Sequence, residues 1–494
     1  MRLIELARAA GLPLSGRDVE IAGISSDSRT VQPGELFVAI PGSRTHGLAH
    51  VPAALERGAV AVCANAPVHE VPTLLTGNPR RALAALAAAF HGFPAHDLPL
   101  IGVTGSLGKT STALLLEAVL RESGVRAGIV GSLGMRLGGE WQETGMTTPE
   151  ATSIHAALRR FVDAGAATAI LEVTTHAIIQ ERVTGLVFSL GVITNLVPDE
   201  HLEFHPTPEH YVRTKTRFFG MLADGAPLIL NADDAAVRTV TASLRRPLLR
   251  VSANGAADAH ALVQGITLGA DGARFELVVP QRLLRTDGST LEPLALPLQL
   301  SLLGRQQVTN AALAALAALL AGATPEAVRT AFAGMPALAR RMEVIHPRDP
   351  FILDDTVGNP ASLRAVFEAA AAIPHERMLI GYAVRGARGT TINRSNAEEL
   401  AECVADTAAD LVVTASEDAA DERNLVSDEE WSVVQEVLRG RGVEFRAERT
   451  LHDAVTSLVL GAGPGDLVLL LGAQGMDGGA DIARDALSGR ARVA

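Results

Sequence analysis

Lysine is nearly absent from this chain of 494 residues: of its 43 basic residues, all but Lys109 and Lys215 are arginine. A bias towards arginine and alanine, of the kind a GC-rich genome imposes, accounts for the missing lysines but not for where the two survivors sit. Arginine replaces lysine as a surface charge, but not where a compact ammonium or a reactive amine is needed. Both positions are therefore candidate functional sites. Cysteine is as scarce. Cys63 and Cys403 alone build neither a disulfide framework nor a zinc site, which points to a reducing compartment. Aromatic residues are 3% of the chain and the formal charge is −12, with no basic stripe interleaved with stacking rings. That pattern excludes nucleic acid as a partner. No run approaches the roughly 18 to 20 unbroken apolar residues of a membrane span. The amino terminus, MRLIELARAAGLPLSG, carries Glu5 and Arg8 inside its apolar stretch and reads as a short amphipathic helix, not a signal peptide. The expectation is a cytoplasmic protein with no membrane partner.

What is present is enough apolar residue, 48%, to fill several cores, and the length fits two to four domains. Strand-like and helix-like stretches alternate almost throughout, the pattern of α/β layers with mostly parallel sheets. Three blocks are expected, at 1–95, 96–335 and 336–494. The first holds the strands GELFVAI and AVAVCA and a helix at Pro79–Phe90, and ends in the proline-containing linker 92–99. The second runs from the strand LIGV to an alanine-rich helix at 310–321, with a small β-rich excursion at 251–300. The third carries MLIGYAV, a helix at 396–409, LVVTAS and DLVLLLG.

The first lysine lies in T-G-S-L-G-K-T-S, residues 104–111, between an apolar strand at 100–103 and a helix at 110–123. Gly105 and Gly108 let a backbone wrap a phosphate, and the new helix aims its free N–H groups at it. Lys109 reaches the β- and γ-phosphates and the Thr110 hydroxyl holds Mg²⁺ in such a loop. Val103 stands where the strict G-x-x-x-x-G-K form has its first glycine, and a bare G-x-x-G-K-T also suits an ordinary strand–helix turn. The coincidence of strand, helix and rare lysine favours nucleotide phosphate, with Thr104, Gly105, Gly108, Lys109, Thr110 and Ser111 as its contacts.

Glu172 interrupts an apolar strand in A-I-L-E-V-T-T-H-A. It suits either a strand-end salt bridge or a Mg²⁺ ligand beside the phosphate loop. His201 follows the strand LGVITN in a polar turn with Asp199 and Glu200. Lys215 lies on a helix next to Phe218 and Phe219, and by itself would read as a surface lysine covering its own stem.

Together these residues resemble the Mur ligases, specifically the MurE type, over nearly the whole chain. D-S-R-T-V-Q-P-G-E-L-F-V-A-I-P-G (27–42) is similar to that family's uridine-binding segment, with Asp27, Ser28 and Arg29 at matching positions. Thr147 and Thr148 in T-T-P, Thr174 and Thr175 where the family has two serines, and Gln180 and Arg182 match its substrate loops. Tyr211–x-x-x–Lys215 matches the motif whose lysine is carbamylated to help bind Mg²⁺. The resemblance implies a UDP-sugar-binding domain, a central P-loop ATPase-like domain and a C-terminal Rossmann-like domain. It implies ATP and Mg²⁺ as cofactors, and Lys109, Glu172, His201 and Lys215 as the catalytic set. Thr110, Glu172, His201 and Lys215 would hold the metal. Asn310, Arg341 and Asp354 would contact ATP. The implied partners are UDP-MurNAc-L-Ala-D-Glu and an amino acid, joined through an acyl phosphate by a chain that is a monomer by default.

The sequence also departs from the pattern. The run up to His201 is one residue longer than the family's, Gln307 replaces an asparagine, and D-D-T-V-G-N-P lacks the family's histidine. The motif that grips diaminopimelate is missing, with T-A-S-E-D-A-A-D-E-R in its region. G-A-Q-G-M-D leaves only Gly472, Gly475 and Asp477 comparable in another. Arg388 and Arg423 are the nearest cations for a far carboxylate. The expected acceptor is thus not diaminopimelate but a basic amino acid such as L-lysine or L-ornithine. Two other readings compete: an amide ligase of the cyanophycin or folylpolyglutamate type, and a non-catalytic paralogue that binds nucleotide or precursor. The uridine-type segment opposes the first, and retention of both lysines opposes the second.

Overall fold

The computed structural model describes every residue except 43–46, 70, 198–203, 406, 408, 423 and 494. Three large sheets follow one another along the chain, and a two-stranded pair, Leu283–Leu284 with Thr290–Leu291, lies within the second block. The first has five strands in the order Leu14–Ser15, Thr73–Leu75, Ala61–Ala64, Glu35–Val38 and Gly23–Ser25, all parallel but for the first pair. Helix Pro79–Phe90 begins with Asn78 accepting from the N–H of Arg81 and closes one face of this sheet. The expected linker contains one short helical turn, Pro94–Asp97.

The central sheet has ten strands, and its parallel part carries the site. Leu100–Thr104 lies between Leu190–Ile193 and Thr168–Glu172, and Ala127–Gly131 follows beyond Thr168–Glu172. These strands are apolar on both faces because helices cover both. Alternation along one strand shows it: Ile101 and Val103 join one core cluster while Leu100 joins the other. The excursion after residue 251 extends this sheet through the antiparallel strands Ala261–Gly269, Gly272–Val279 and Leu294–Leu300. Helix Arg305–Leu320 is buried on nearly every side, in line with its run of alanine and leucine, and packs on the phosphate-loop helix Lys109–Glu122. No helix among the described residues is long and apolar enough to cross a membrane.

The third sheet has the order Glu343–Pro347, Phe351–Asp355, Asp466–Gly472, Arg377–Ala383, Ala409–Thr414 and Arg446–Glu448, parallel after the first pair. One helix of this block spans Thr390–Ala405, six residues ahead of the expected start. Its first turns carry Asn393, ahead of the expected start, and Asn396, both buried and partnered by neighbouring carbonyls.

Candidate active site

A cleft of about 670 Å³ opens between the phosphate loop and the strand ends of the third sheet. Its size and mixed lining suit a nucleotide together with reacting groups. The strand Leu100–Thr104 delivers the loop, and the helix Lys109–Glu122 starts where Gly108 takes φ +80°. A Cβ on Gly108 would lie 2.4 Å from Asn310 Oδ1, and one on Gly105 would lie 1.9 Å from Thr194 Oγ1. Only glycine fits either position. Asn195 fixes the loop's crown, accepting from Leu107 N–H at 2.8 Å and donating to Leu107 O at 3.0 Å.

The two lysines converge on one atom. Lys109 Nζ donates to the carbonyls of Gly105 at 2.8 Å and Ser106 at 2.7 Å, and Lys215 Nζ donates to Gly105 O at 2.7 Å. Lys215 is 2% exposed, with its ammonium 4.9 Å above the Tyr211 ring. It is therefore not a surface lysine. Its helix, Pro208–Thr216, is capped by Thr207, and the following turn wedges Phe218 under the strand that carries the loop. A Cβ on Gly102 would meet the Phe218 ring at 2.6 Å, so that strand is thinned to let the turn approach.

Glu172 ends its strand buried at 1% exposure. It accepts from Thr110 Oγ1 at 2.8 Å and from Ser132 N–H at 2.9 Å. Burial raises its pKa, opposed by the Ser132 N–H, the charge of Lys109, the Thr110 hydroxyl and the charge of Arg341. A Cβ on Gly131 would fall 2.1 Å from Glu172 Oε1, so the neighbouring strand also yields space to the carboxylate. Thr147, Thr148 and Thr174 form a hydroxyl platform beside it. Thr148 Oγ1 donates to Glu172 O at 2.7 Å and lies 3.2 Å from Thr174 Oγ1, and Thr147 Oγ1 lies 3.0 Å from Ser132 Oγ. Arg182 donates to Thr148 O at 2.9 Å and pairs with Glu150 at 3.0 Å.

Of the sequence candidates, Gly108, Lys109, Thr110, Ser111, Thr147, Thr148, Thr174, Arg182, Asn310 and Arg341 line the cleft. Thr104 turns its hydroxyl to Val173 O, Thr175 is buried in the first turn of its short helix, and Gln180 closes that helix half-buried. Ser28 and Arg29 lie in an exposed turn of the first block, where Arg29 pairs with Asp27 at 2.7 Å. Asp354 points away from the cleft. Arg340 holds it at 3.3 Å, and the same guanidinium binds Asp477, Gly472 O and Ala473 O. The next residue, Asp355, lines the cleft with Arg341. Burial pushes Asp355 up to about 6, against the charge of Arg341 and the Met342 N–H. His201 and Arg423 lie outside the described residues. Ser132, Asn195, Arg340 and Asp355 were not singled out from sequence. The signal available for three of them is position alone, one residue past a strand or inside a doublet.

Family models match along the chain in the order of its sheets. The Mur ligase family catalytic domain covers 20–91, the Mur ligase middle domain 103–319 and the Mur ligase glutamate ligase domain 340–474. A Streptomyces avermitilis protein named UDP-N-acetylmuramoyl-L-alanyl-D-glutamate–2,6-diaminopimelate ligase is 33% identical over 97% of this chain and 93% of its own. The chain belongs to the Mur ligase family. A UDP-N-acetylmuramyl-tripeptide synthetase of Roseiflexus is 34% identical to this Mur ligase over 92% of the chain and 89% of its own. Among solved structures, a UDP-N-acetylmuramoyl-L-alanyl-D-glutamate–2,6-diaminopimelate ligase superposes with TM-score 0.65 at 22% identity, covering 95% of both chains. MurF from Acinetobacter baumannii reaches 0.68 at 18%, covering 98% of both. The Mur ligase shares its fold with both.

Proposed function

We propose that this Mur ligase joins an amino acid to the γ-carboxylate of UDP-MurNAc-L-Ala-D-Glu at the expense of ATP. The observation that carries the reading is the convergence of both lysines, Glu172 and the threonine platform on one phosphate loop. Relatives over 30% identical along nearly their whole length bear names with this precursor or its tripeptide product. In the reaction, a substrate carboxylate oxygen bonds to the γ-phosphorus of ATP and ADP leaves, giving an acyl phosphate. The amine of the incoming amino acid then attacks the acyl carbon, inorganic phosphate leaves, and the ammonium proton is lost to solvent.

The protein's share is positioning and charge. Lys109 and the helix N-terminus balance phosphate charge, and the hydroxyls of Thr147, Thr148 and Thr174 with Arg182 hold the carboxylate to be activated. Asp355 and Arg341 face the nucleotide from the third sheet. The donor set of Thr110 and Glu172 fits Mg²⁺, which takes one or two hard protein oxygens and completes its shell with phosphate and water. Bound there, the metal would neutralise β- and γ-phosphate charge. Lys215, as a carbamate, would face the same region from behind Gly105. UDP would be taken by the first block, around Ser28 and Arg29.

The test is phosphate release from ATP with UDP-MurNAc-L-Ala-D-Glu, adding L-lysine, L-ornithine and diaminopimelate one at a time and weighing the product. A tripeptide product with one of them is expected. ATP binding with no product from any of them would reject the ligase reading in favour of a binding-only protein.

A further inference from the structure

Arg388 reaches the cleft from the third sheet with no ion pair among the described residues. Its Nε is buried with no hydrogen-bond partner among the described residues, and Nη1 makes only a 3.4 Å contact with Ala387 O. By contrast Arg385 donates to Gly358 O at 2.6 Å, and Arg341 faces Asp355. A desolvated guanidinium edge of this kind calls for an anion. Arg341 and Asp355 mark the nucleotide end, since the charge of Arg341 is felt at Glu172. The strand that leads to Arg388 lies two places further along the sheet, about 10 Å away at the usual strand spacing. That distance puts Arg388 beyond the phosphates, where the incoming amino acid must stand.

Turn 385–389 is not held by its own sequence. Ala387 takes φ +55° and Gly389 φ +85°, and Gly386 sits so close to Asn424 that a Cβ would lie 2.0 Å from its carbonyl. From within, Asn393 donates to Arg385 O at 2.8 Å and to Gly389 O at 3.1 Å. From behind, one carboxylate accepts three consecutive backbone N–H groups: Glu430 takes Ala387 at 3.1 Å, Arg388 at 2.8 Å and Gly389 at 2.6 Å. Its fourth bond is to Ser427 N–H at 3.0 Å, the return half of a capping box on helix Asp428–Gly440. Glu430 is 3% exposed. Burial works to raise its pKa, but the four N–H groups hold it below the ordinary carboxylate value, so it stays an anion.

We infer that Glu430, which touches no substrate, is the positioning residue that fixes turn 385–389 and thereby aims Arg388 at the carboxylate of the incoming amino acid. This rests on the ligase reading above. The carboxylate is an internal stand-in that organises a nest of N–H groups outside the cleft, so that the side chain between them projects into it.

The experiment compares whichever of L-lysine, L-ornithine and diaminopimelate turns over with the α-carboxamide of the same compound. In the native enzyme the acid should exceed the amide in kcat/KM by roughly 10- to 100-fold, the range of a charge-assisted hydrogen bond. Arg388→Ala should abolish that ratio. Glu430→Ala should raise KM for the acid about 10-fold and shrink the ratio while KM for ATP stays put, and Glu430→Gln, which keeps the shape, should fall between. Ser427→Ala removes the helix cap but leaves the carboxylate on the turn; it should lower Tm with the ratio intact. If Glu430→Ala does not fold, Glu430→Gln and Ser427→Ala carry the comparison. No turnover with any acceptor rejects the ligase reading and this assignment with it. Turnover with an unchanged ratio in Arg388→Ala overturns the anchor alone. A collapsed ratio in Arg388→Ala but not in either Glu430 variant overturns the positioning role.

Discussion

The carbonyl oxygen of Gly105 accepts from Lys109 at 2.8 Å and from Lys215 at 2.7 Å, so one backbone atom carries two ammonium groups. Neither lysine can become arginine for the same physical reason. A planar guanidinium is wider than an ammonium and cannot fit its donors into a turn whose carbonyls lie 2.7 and 2.8 Å from Nζ. Lys109→Ala is expected to lower kcat by about 10³-fold, roughly 4 kcal/mol of transition-state stabilisation, with Tm almost unchanged because the residue stands at the cleft wall. Steady-state phosphate release checks it. Lys215→Arg sits in a closed space under Tyr211 and should cost about 1–3 kcal/mol in overpacking as well as most of the activity. Denaturant melts and turnover separate the two effects. Full activity in Lys215→Arg would remove Lys215 from the proposed metal site, and an intact-mass search of the native enzyme in bicarbonate tests whether the lysine carries a carbamate.

Elements bring the third block to the site through two strand ends, joined by Arg340. Its guanidinium ties Asp354 on one strand to Gly472 O and Ala473 O at the end of another. Asp354 is raised to about 7, first by burial and against the charge of Arg340. A group raised in the folded state stabilises fully below its unfolded pKa, and that stability is lost as pH climbs through the folded value. Arg340→Ala deepens the same liability, because the buried acid loses the one cation paired with it among the described residues. The expected loss is roughly 3 kcal/mol, larger at about pH 8 than at about pH 6, as read from denaturant melts. Asp477→Asn, at the exposed end of the same pair, should change little. These contacts also show what sequence can and cannot reveal. The strands themselves and the phosphate loop were legible, because apolar runs and paired glycines are local signals. Which acid of Asp354 and Asp355 faces the cleft was not, since a strand flips face at every residue and both neighbours are acidic. The doublet Arg340–Arg341 hid its roles similarly: Arg340 and Met342 both take φ +54°, which turns the two arginines in directions no periodicity predicts.

Across the whole molecule, the first block meets the central one along helices Pro79–Phe90 and Ala151–Asp163, and a histidine lies at that seam. His155 is 1% exposed, and neither ring nitrogen has a hydrogen-bond partner among the described residues. Nothing in the sequence marked it, because a histidine on an apolar helix face looks the same whether its ring is satisfied or not. Burial, and secondarily the charge of His91, lowers it from 6.5 to about 4. His91 in turn is lowered by its own burial and by Arg159, whose partners are Asp97 and Asp163. The sign follows from proton counting. Between about 6.5 and about 4 the unfolded chain binds a proton at His155 that the folded chain refuses, so stability falls as pH drops through that window. At about 1.4 kcal/mol per pKa unit, full passage through the window removes about 3.5 kcal/mol. His155→Phe keeps an aromatic ring in the seam and cannot charge. It should leave stability near neutral pH within about 1 kcal/mol of native and flatten the acid limb of the melting curve. If the two proteins lose stability in parallel down to about pH 4.5, the seam between the first two blocks is not where acid attacks this enzyme.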